Sequence, residues 1–305
     1  MIITTNIRLS RALKVTWKTD LFIILSCTLA YFANEYFFRE YFDVPSIVAT
    51  VLGTALAFFI GFNNNQSYDR WWEARKIWGK MVNDSRSWAR GVLYYCTAPD
   101  SVDDVQLAQR KKVMLHRHIA FLYALKANLR KDKHDQTYQK YLSAEELAEV
   151  KKESNLHNAI LSRQSADLEQ LYRQGFVDGF RFMSLNEMIV GFCDEMGKSE
   201  RIRNTVFPTS YNYFTRLFIW IFVICLTIVT SNMVGAWSIF FGFLIGFVFH
   251  TSHIIGKALL NPFDPVSTGI PLNQITRTIE INLLEMMKEQ DIPEAVKPIN
   301  GEYIM

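Results

Sequence analysis

The chain has 305 residues, of which 50% are hydrophobic, 14% aromatic and 21% charged. This balance favours a membrane-embedded part joined to a water-exposed helical part over either part alone. The net charge is only +3, and no basic run is interleaved with aromatic residues, which argues against a protein that binds nucleic acid.

The cysteines are scattered and form no CxxC motif. They are Cys27, Cys96, Cys193 and Cys225. This spacing predicts buried free thiols in a reducing compartment and no disulfide framework.

Residues 1–19 form a basic amphipathic segment that alternates apolar residues with arginine and lysine. Two interpretations are open: the segment lies on the membrane surface, or it simply flanks the first span.

Residues 20–62 contain two predicted transmembrane spans, Leu21–Phe38 and Ser46–Phe62. Asn34 and Glu35 are the only polar interruptions that stand out, near the far end of the first span. No proline separates Ser46–Phe62 from the charged residues that follow, so we predict one helix that leaves the membrane and continues into water.

The second span is patterned. Thr54, Phe58 and Phe62 are spaced i, i+4 and i+8, and therefore share one helix face. A neighbouring stripe of small residues allows close helix packing and consists of Gly53, Ala57 and Gly61. Several copies of this helix around an axis would form a narrow apolar tube, whereas the alternative is an ordinary packed transmembrane helix.

Residues 63–210 contain no window able to span a bilayer and are predicted to form a cytoplasmic helical domain. Apolar residues lie largely on one side of a predicted helix at 103–131, and a charged turn follows at 131–140. Ser143 and Glu146 have the spacing of a capping box at the start of a helix at 143–152. A further amphipathic helix is predicted over 167–198.

Residues 211–260 contain the third and fourth predicted spans, Tyr211–Val234 and Trp237–Leu260. Residues 261–305 begin with a loop rich in proline, continue as an amphipathic helix at 272–290 and end in an irregular tail. Basic residues flank the first span at its amino-terminal end and follow the second span, whereas the two opposite loops carry only Arg39. This asymmetry predicts that both termini and the large helical domain are cytoplasmic.

No catalytic constellation is present: the chain lacks HExxH, a glycine-rich phosphate loop and GxSxG. We therefore predict no enzyme activity, no cofactor and no metal site. His116 and His118 are two apart and face different sides of a helix. His250 and His253 share a face of the fourth span, where packing is favoured over a polar pathway.

Two positions near the ends of spans have alternative interpretations. Pro208 disfavours helix at Phe207, so Phe207 either anchors a domain edge or projects as a constriction. Asp264 follows the fourth span and is the only carboxylate there, which is too few oxygen ligands for calcium.

The chain resembles the bestrophin family of ion channels over nearly its whole length, and its short carboxyl terminus resembles that of bacterial members. The resemblance rests on motifs in matching order and spacing: Gly61-Phe62 with Asn64, Arg70-Trp71-Trp72-Glu73-Ala74-Arg75 with Trp78-Gly79, Phe207-Pro208 with Tyr211, and Asn261-Pro262-Phe263.

The resemblance implies an all-α, four-span homopentamer around one axial pore in the bacterial inner membrane. Its partners would be membrane lipid and permeant monovalent ions. The pore neck would fall on Thr54, Phe58 and Phe62, and the cytosolic aperture on Phe207.

This chain departs from the family pattern at two points. The acidic cluster that clasps calcium in eukaryotic members is reduced to Asp264, which puts calcium gating in doubt. Thr54 stands where an aliphatic neck residue is usual, and its hydroxyl either eases wetting or bonds back to its own helix.

The sign of the permeant ion is open, because animal members pass chloride whereas bacterial members resemble cation channels. The phenylalanine neck favours anions, since ring edges carry partial positive charge. The alternatives are a monovalent-cation channel of the same architecture and a membrane scaffold or signalling protein without a pore. A membrane enzyme has the least support.

Overall fold

The structure is a computed structural model that describes residues 9–41, 44–98, 104–205 and 209–305. Within these ranges it is all-helical, as predicted. The α-helices are α1 Leu9–Ala33, α2 Ser46–Tyr95, α3 Asp104–Arg130, α4 Ala144–Val150, α5 Leu156–Arg173, α6 Gly179–Asn204, α7 Thr209–Val234, α8 Trp237–Leu259 and α9 Leu272–Met286. A π-helical turn at Asn34–Phe38 follows α1, and a 3-10 turn at Thr137–Tyr141 follows α3.

The four predicted spans are confirmed as helices that are long and apolar enough to cross a bilayer. They occupy Thr16–Phe38, the helix Ser46–Tyr95, Ser210–Val234 and Trp237–Leu259. The continuous helix expected beyond the second span is also present, because α2 runs for 50 residues without a break. α1 likewise continues from residue 9 of the basic amino-terminal segment into the first span.

The chain divides into two compact units. Of the described residues, those within 9–71 and 209–261 form a membrane-type unit, and those within 72–205 and 262–305 form a second helical unit. α2 contributes its first half to the membrane-type unit and its second half to the helical unit.

Apolar side chains from α1, α2 and α7 form the core of the membrane-type unit. The buried residues are Ile23, Cys27, Leu56, Ile60, Ile219, Phe222 and Val223. Asn34 is fully buried in the same unit, and its Nδ2 donates to Ser231 Oγ at 2.8 Å and to Asn232 Oδ1 at 2.9 Å. These two bonds satisfy the amide nitrogen of Asn34, whereas its Oδ1 is buried with no hydrogen-bond partner among the described residues.

α8 packs against its neighbours through a stripe of small and polar residues. Its buried members are Ser238, Gly242, Gly246, His250, His253 and Gly256. A Cβ added at Gly246 would lie 2.9 Å from Val223 Cγ2 and 3.0 Å from Ile23 Cγ2. The α8 backbone therefore approaches α1 and α7 closely, as small residues permit in membrane helices.

α3 is the central helix of the second unit. It confirms the helix predicted at 103–131, but the one-sided pattern expected for it was wrong, because every residue from Arg117 to Lys126 is buried. Helices α5, α6 and α9 and the 3-10 turn pack around α3. Ion pairs satisfy its buried cations: Arg117 with Glu146 and Asp167, and Lys126 with Asp135 at 2.8 Å.

The capping prediction at Ser143 is confirmed, because its side chain accepts from the backbone N–H of Glu146 at 3.2 Å. The helix predicted over 167–198 was wrong in extent. α5 ends at Arg173, and Gly175 follows with a φ of +78°, a left-handed conformation that ends a helix. Asp178 then caps α6 by accepting from two backbone N–H groups.

The expectation that all cysteines are buried holds for Cys27 and Cys96, but Cys193 is exposed and Cys225 is only partly buried. Cys193 lies on α6, a helix at the surface of its unit, where helical periodicity turns this position outwards. All four are free thiols.

Candidate functional site

The membrane half of α2 has one face that the chain itself leaves uncovered. Thr54 is exposed, and the side chains of Phe58 and Phe62 are 67% and 64% exposed. Together with Asn65 they line an open apolar groove of about 700 Å³. The sequence-predicted set is therefore brought onto one surface of the single chain.

The contacts made by the opposite face of this helix explain why Phe58 and Phe62 point outwards. Leu56 and Ile60 are 3% and 4% exposed and belong to the core of the membrane-type unit. Phe59 also faces inwards, and its ring stacks on that of Tyr211 with centroids 4.1 Å apart and planes 5° apart. With Leu56, Phe59 and Ile60 facing inwards, Phe58 and Phe62 point away from the described core.

Among the described residues, the chain packs closely on the small-residue stripe at Gly53. A Cβ added at Gly53 would lie 2.9 Å from Phe222 Cε2, so α7 packs closely there. Ala57 is exposed, and among the described residues no atom of another helix lies within 4 Å of a Cβ added at Gly61. The close packing predicted at Ala57 and Gly61 would therefore need another molecule.

The Thr54 hydroxyl donates to the backbone carbonyl of Thr50 at 2.9 Å. Two roles were considered for this hydroxyl, and the structure shows the hydrogen bond back to its own helix. The remaining oxygen lone pairs still face the groove, because the side chain is exposed.

The sequence comparisons decide the family. A family profile described as "Bacterial/Fungal Bestrophin protein" matches residues 3–285. The chain belongs to the bestrophin family. The voltage-dependent anion channel-forming protein YneE of Escherichia coli K12 is 31% identical over 249 residues, which cover 82% of this chain and 79% of the relative. The voltage-dependent anion channel-forming protein alr2987 of Nostoc sp. PCC 7120 is 27% identical and covers 79% of this chain and 75% of the relative.

Solved structures show the same fold. A crystal structure of a bacterial bestrophin homologue from Klebsiella pneumoniae superposes with a TM-score of 0.80 at 24% identity, covering 89% of this chain and 98% of the other. A further membrane-protein crystal structure gives a TM-score of 0.82 at 23% identity, with 90% and 99% coverage. The fold and the four apolar helices make this bestrophin an integral membrane protein.

The motif at 70–75 is distributed along α2 where the helix passes from one unit to the next. Trp71 stacks on Tyr68, with ring centroids 6.1 Å apart, whereas Trp72 is 45% exposed. Glu73 accepts from Arg201 Nη2 at 2.7 Å. The guanidinium of Arg75 covers Gly79, where an added Cβ would lie 3.4 Å from Arg75 Nη1. Arg70 is partly buried.

The Asn261-Pro262-Phe263 motif forms a tight turn after α8. Asn261 is exposed, whereas Pro262 and Phe263 are buried. The Pro262 carbonyl accepts from the Ile270 N–H at 2.7 Å. Asp264 accepts from Arg203 Nη1 at 2.7 Å, so an ion pair occupies the carboxylate.

The proposed aperture residue Phe207 and its neighbour Pro208 lie outside the described residues. Among the residues that the structure describes, no group of three or more histidine, cysteine, aspartate or glutamate side chains is arranged to hold a metal.

Sequence reasoning missed the polar residues on the buried side of α2. Asn63 and Ser67 are 2% and 0% exposed, and Asn64 Nδ2 donates to the Ser252 carbonyl at 3.0 Å. Gly256 makes room for this contact, because an added Cβ would lie 1.9 Å from Asn64 Oδ1. From sequence alone, a run of asparagines suggests the end of a membrane span. Nothing local in the sequence indicates that a glycine on another helix lies opposite them.

Proposed function

We propose that this bestrophin is an ion channel that passes monovalent ions, with a preference for anions such as chloride. The channel is a homopentamer with one axial pore. Thr54, Phe58 and Phe62 line its neck, and Phe207 forms its cytosolic aperture. The curated relatives named as anion channel-forming proteins support the anion preference.

The observation that carries this proposal is the uncovered face of α2. Phe58 and Phe62 point away from the core of their own unit and are about two-thirds exposed. In a symmetric ring of copies, this face would line the axis, and its rings would narrow the passage. The uncovered Ala57 and Gly61 flank the same face and would pack against the neighbouring copy.

The chemistry of the neck supports an anion preference. An apolar constriction conducts only when it is wetted, so packing of the phenylalanine rings would control opening. The positive edges of aromatic rings attract anions where water is sparse. The Thr54 hydroxyl donates to its own backbone and leaves the neck without a free polar donor at this position.

Orientation and compartment follow from charge. Basic residues cluster on the flank before the first span and after the second, and we place both termini and the second helical unit in the cytoplasm. The membrane is then the bacterial inner membrane. The protein has no catalytic role in this proposal and needs neither a cofactor nor a metal.

The test is current across a planar bilayer holding purified protein under a potassium chloride gradient. A reversal potential near the chloride equilibrium value is expected. A reversal potential near the potassium equilibrium value would support a channel of this architecture and contradict the argument that the aromatic neck favours anions. Absence of current with protein shown to be inserted would instead favour the scaffold alternative.

A matched control separates the neck from general effects of removing aromatic side chains. Phe22 on α1 is 59% exposed but lies outside the groove on α2. Phe22→Ala should leave conductance unchanged, whereas Phe58→Ala should raise it. Light scattering in detergent tests the assembly, because five chains of 35.5 kDa are readily told from one or two.

A further inference from the structure

The second helical unit contains a small cavity between the end of α3 and the start of α9. Its volume is about 310 Å³, near the lower limit of small-molecule sites. Lys126 and Arg130 line it from α3, and Asn273 and Arg277 line it from α9. Each pair is spaced i, i+4, so both helices turn these side chains to the same side.

The Arg130 guanidinium is only half satisfied. Nη1 donates to Asn273 Oδ1 at 2.8 Å, which fixes the plane of the group. Nε and Nη2 are both buried and have no hydrogen-bond partner among the residues that the structure describes. The N–H bonds of Nε and Nη2 point in parallel from one edge, and this edge is the one that takes a carboxylate or phosphate bidentately.

The other cations of the cavity already have partners. Lys126 pairs with Asp135 at 2.8 Å, and Arg277 pairs with Glu280 at 2.8 Å. Asp132 is the remaining acid of the lining, and its Oδ1 accepts from the His134 N–H at 3.0 Å. The charges of the lining that form no ion pair within the described residues are therefore those of Arg130 and Asp132.

Burial lowers the pKa of the Arg130 guanidinium, and the charges of Asp135 and Asp132 oppose this fall. Burial likewise lowers the pKa of Lys126, against the hydrogen bond and charge of Asp135. A buried guanidinium with two unmade hydrogen bonds is costly unless an acceptor reaches it.

We propose that this cavity binds a small oxyanion, a carboxylate or phosphate group, through the Nε–Nη2 edge of Arg130. Two coplanar oxygens accept from these two nitrogens, and Asn273 holds the guanidinium in place. The site is separate from the neck residues on α2, and its occupancy does not depend on whether the protein conducts. Rotation of Asp132 onto Arg130 is the competing arrangement.

The experiment is isothermal titration calorimetry on the full chain in detergent, with inorganic phosphate and acetate as probes at constant ionic strength. The expected result is saturable binding of at least one probe, at one site per chain. Arg130→Gln and Arg130→Lys should each weaken binding on the order of tenfold or more. Glutamine removes the charge, and lysine keeps the charge but loses the two parallel N–H donors. Asp132→Asn should strengthen it by removing the competing carboxylate.

The matched control is Arg173→Gln, since Arg173 lies on α5 and is paired with Glu169 outside the cavity. Its binding should equal that of the unmodified protein. If Arg130→Gln fails to fold, the lysine and Asp132 variants decide the question. Absence of saturable binding in both the unmodified protein and Asp132→Asn, or equal binding by a folded Arg130 variant, would overturn the proposal.

Discussion

Glu195 on α6 is a buried acid whose ionisation should set the pH dependence of stability. Its side chain is 1% exposed, and Oε1 accepts from Lys80 Nζ, which also donates to Asp84 at 2.7 Å. Oε2 is buried, with no hydrogen-bond partner in the described part of the chain. Burial raises the pKa of Glu195 to about 7, the Lys80 hydrogen bond opposes the rise, and the charge of Asp84 adds to it.

The size and sign of the effect follow from this pKa. A rise from 4.5 to about 7 corresponds to about 3 kcal/mol. The folded state holds the proton more tightly than the unfolded state, so this stabilisation is complete below pH 4.5 and is lost as the pH rises through about 7. For a chain of 305 residues, about 3 kcal/mol equals a shift of roughly 5 °C in the unfolding midpoint.

The perturbation is Glu195→Gln, because glutamine keeps the shape of the protonated acid and cannot ionise. Thermal unfolding of both proteins in detergent at about pH 4.5 and about pH 8 gives the midpoints. Between the lower and the higher pH, the unfolding midpoint of the variant should rise by roughly 5 °C relative to that of the unmodified protein. Glu187→Gln on the same helix is the control, because Glu187 is exposed. Parallel pH profiles for Glu195→Gln and the unmodified protein would refute the reasoning.

Three further predictions concern the neck, the α8 stripe and the core of the second unit. Phe58→Ala and Phe62→Ala should widen the neck and raise single-channel conductance, and unchanged currents in both would contradict the neck assignment. Gly246→Ala should cost about 1–3 kcal/mol through overpacking and lower the thermal midpoint, whereas Gly197→Ala, which meets open space, should not. Glu280→Ala should cost about 3–5 kcal/mol, measured as a lower midpoint, because two buried tyrosine hydroxyls and an arginine lose their acceptor; a midpoint shift of less than 1 °C would contradict that role.

The spans and the long α2 helix could be predicted because their signals are local. Hydrophobic length identifies a span, and the absence of proline after Ser46 predicts continuity into the charged half. The break at Gly175 was harder to see, because apolar residues keep a helical spacing on both sides of it. Only the left-handed conformation of Gly175 in the structure shows where α5 ends.

The burial of α3 could not be predicted, because its polar residues look like a solvated face. The partners of Arg117 are Glu146 and Asp167 in later helices, and the partner of Lys126 is Asp135 in the turn that follows α3. Arg130 has the same local appearance, yet two of its nitrogens are buried with no hydrogen-bond partner among the described residues. Sequence periodicity reports where charges recur and does not report which of them are enclosed.

The two small-residue stripes show why a membrane helix is ambiguous from sequence alone. Gly242 and Gly246 on α8 face side chains of the same chain, whereas Ala57 and Gly61 on α2 face open space in the single chain. Both stripes have the same i, i+4 spacing, because close packing in lipid requires the same geometry whichever helix is the partner. On α2, the uncovered small residues lie beside uncovered phenylalanines. The same surface could therefore contact a second copy and carry bulky side chains next to that contact. A face that only met lipid would have no need of a flat glycine-alanine strip, and this combination is the physical reason for favouring a ring of copies over an isolated chain.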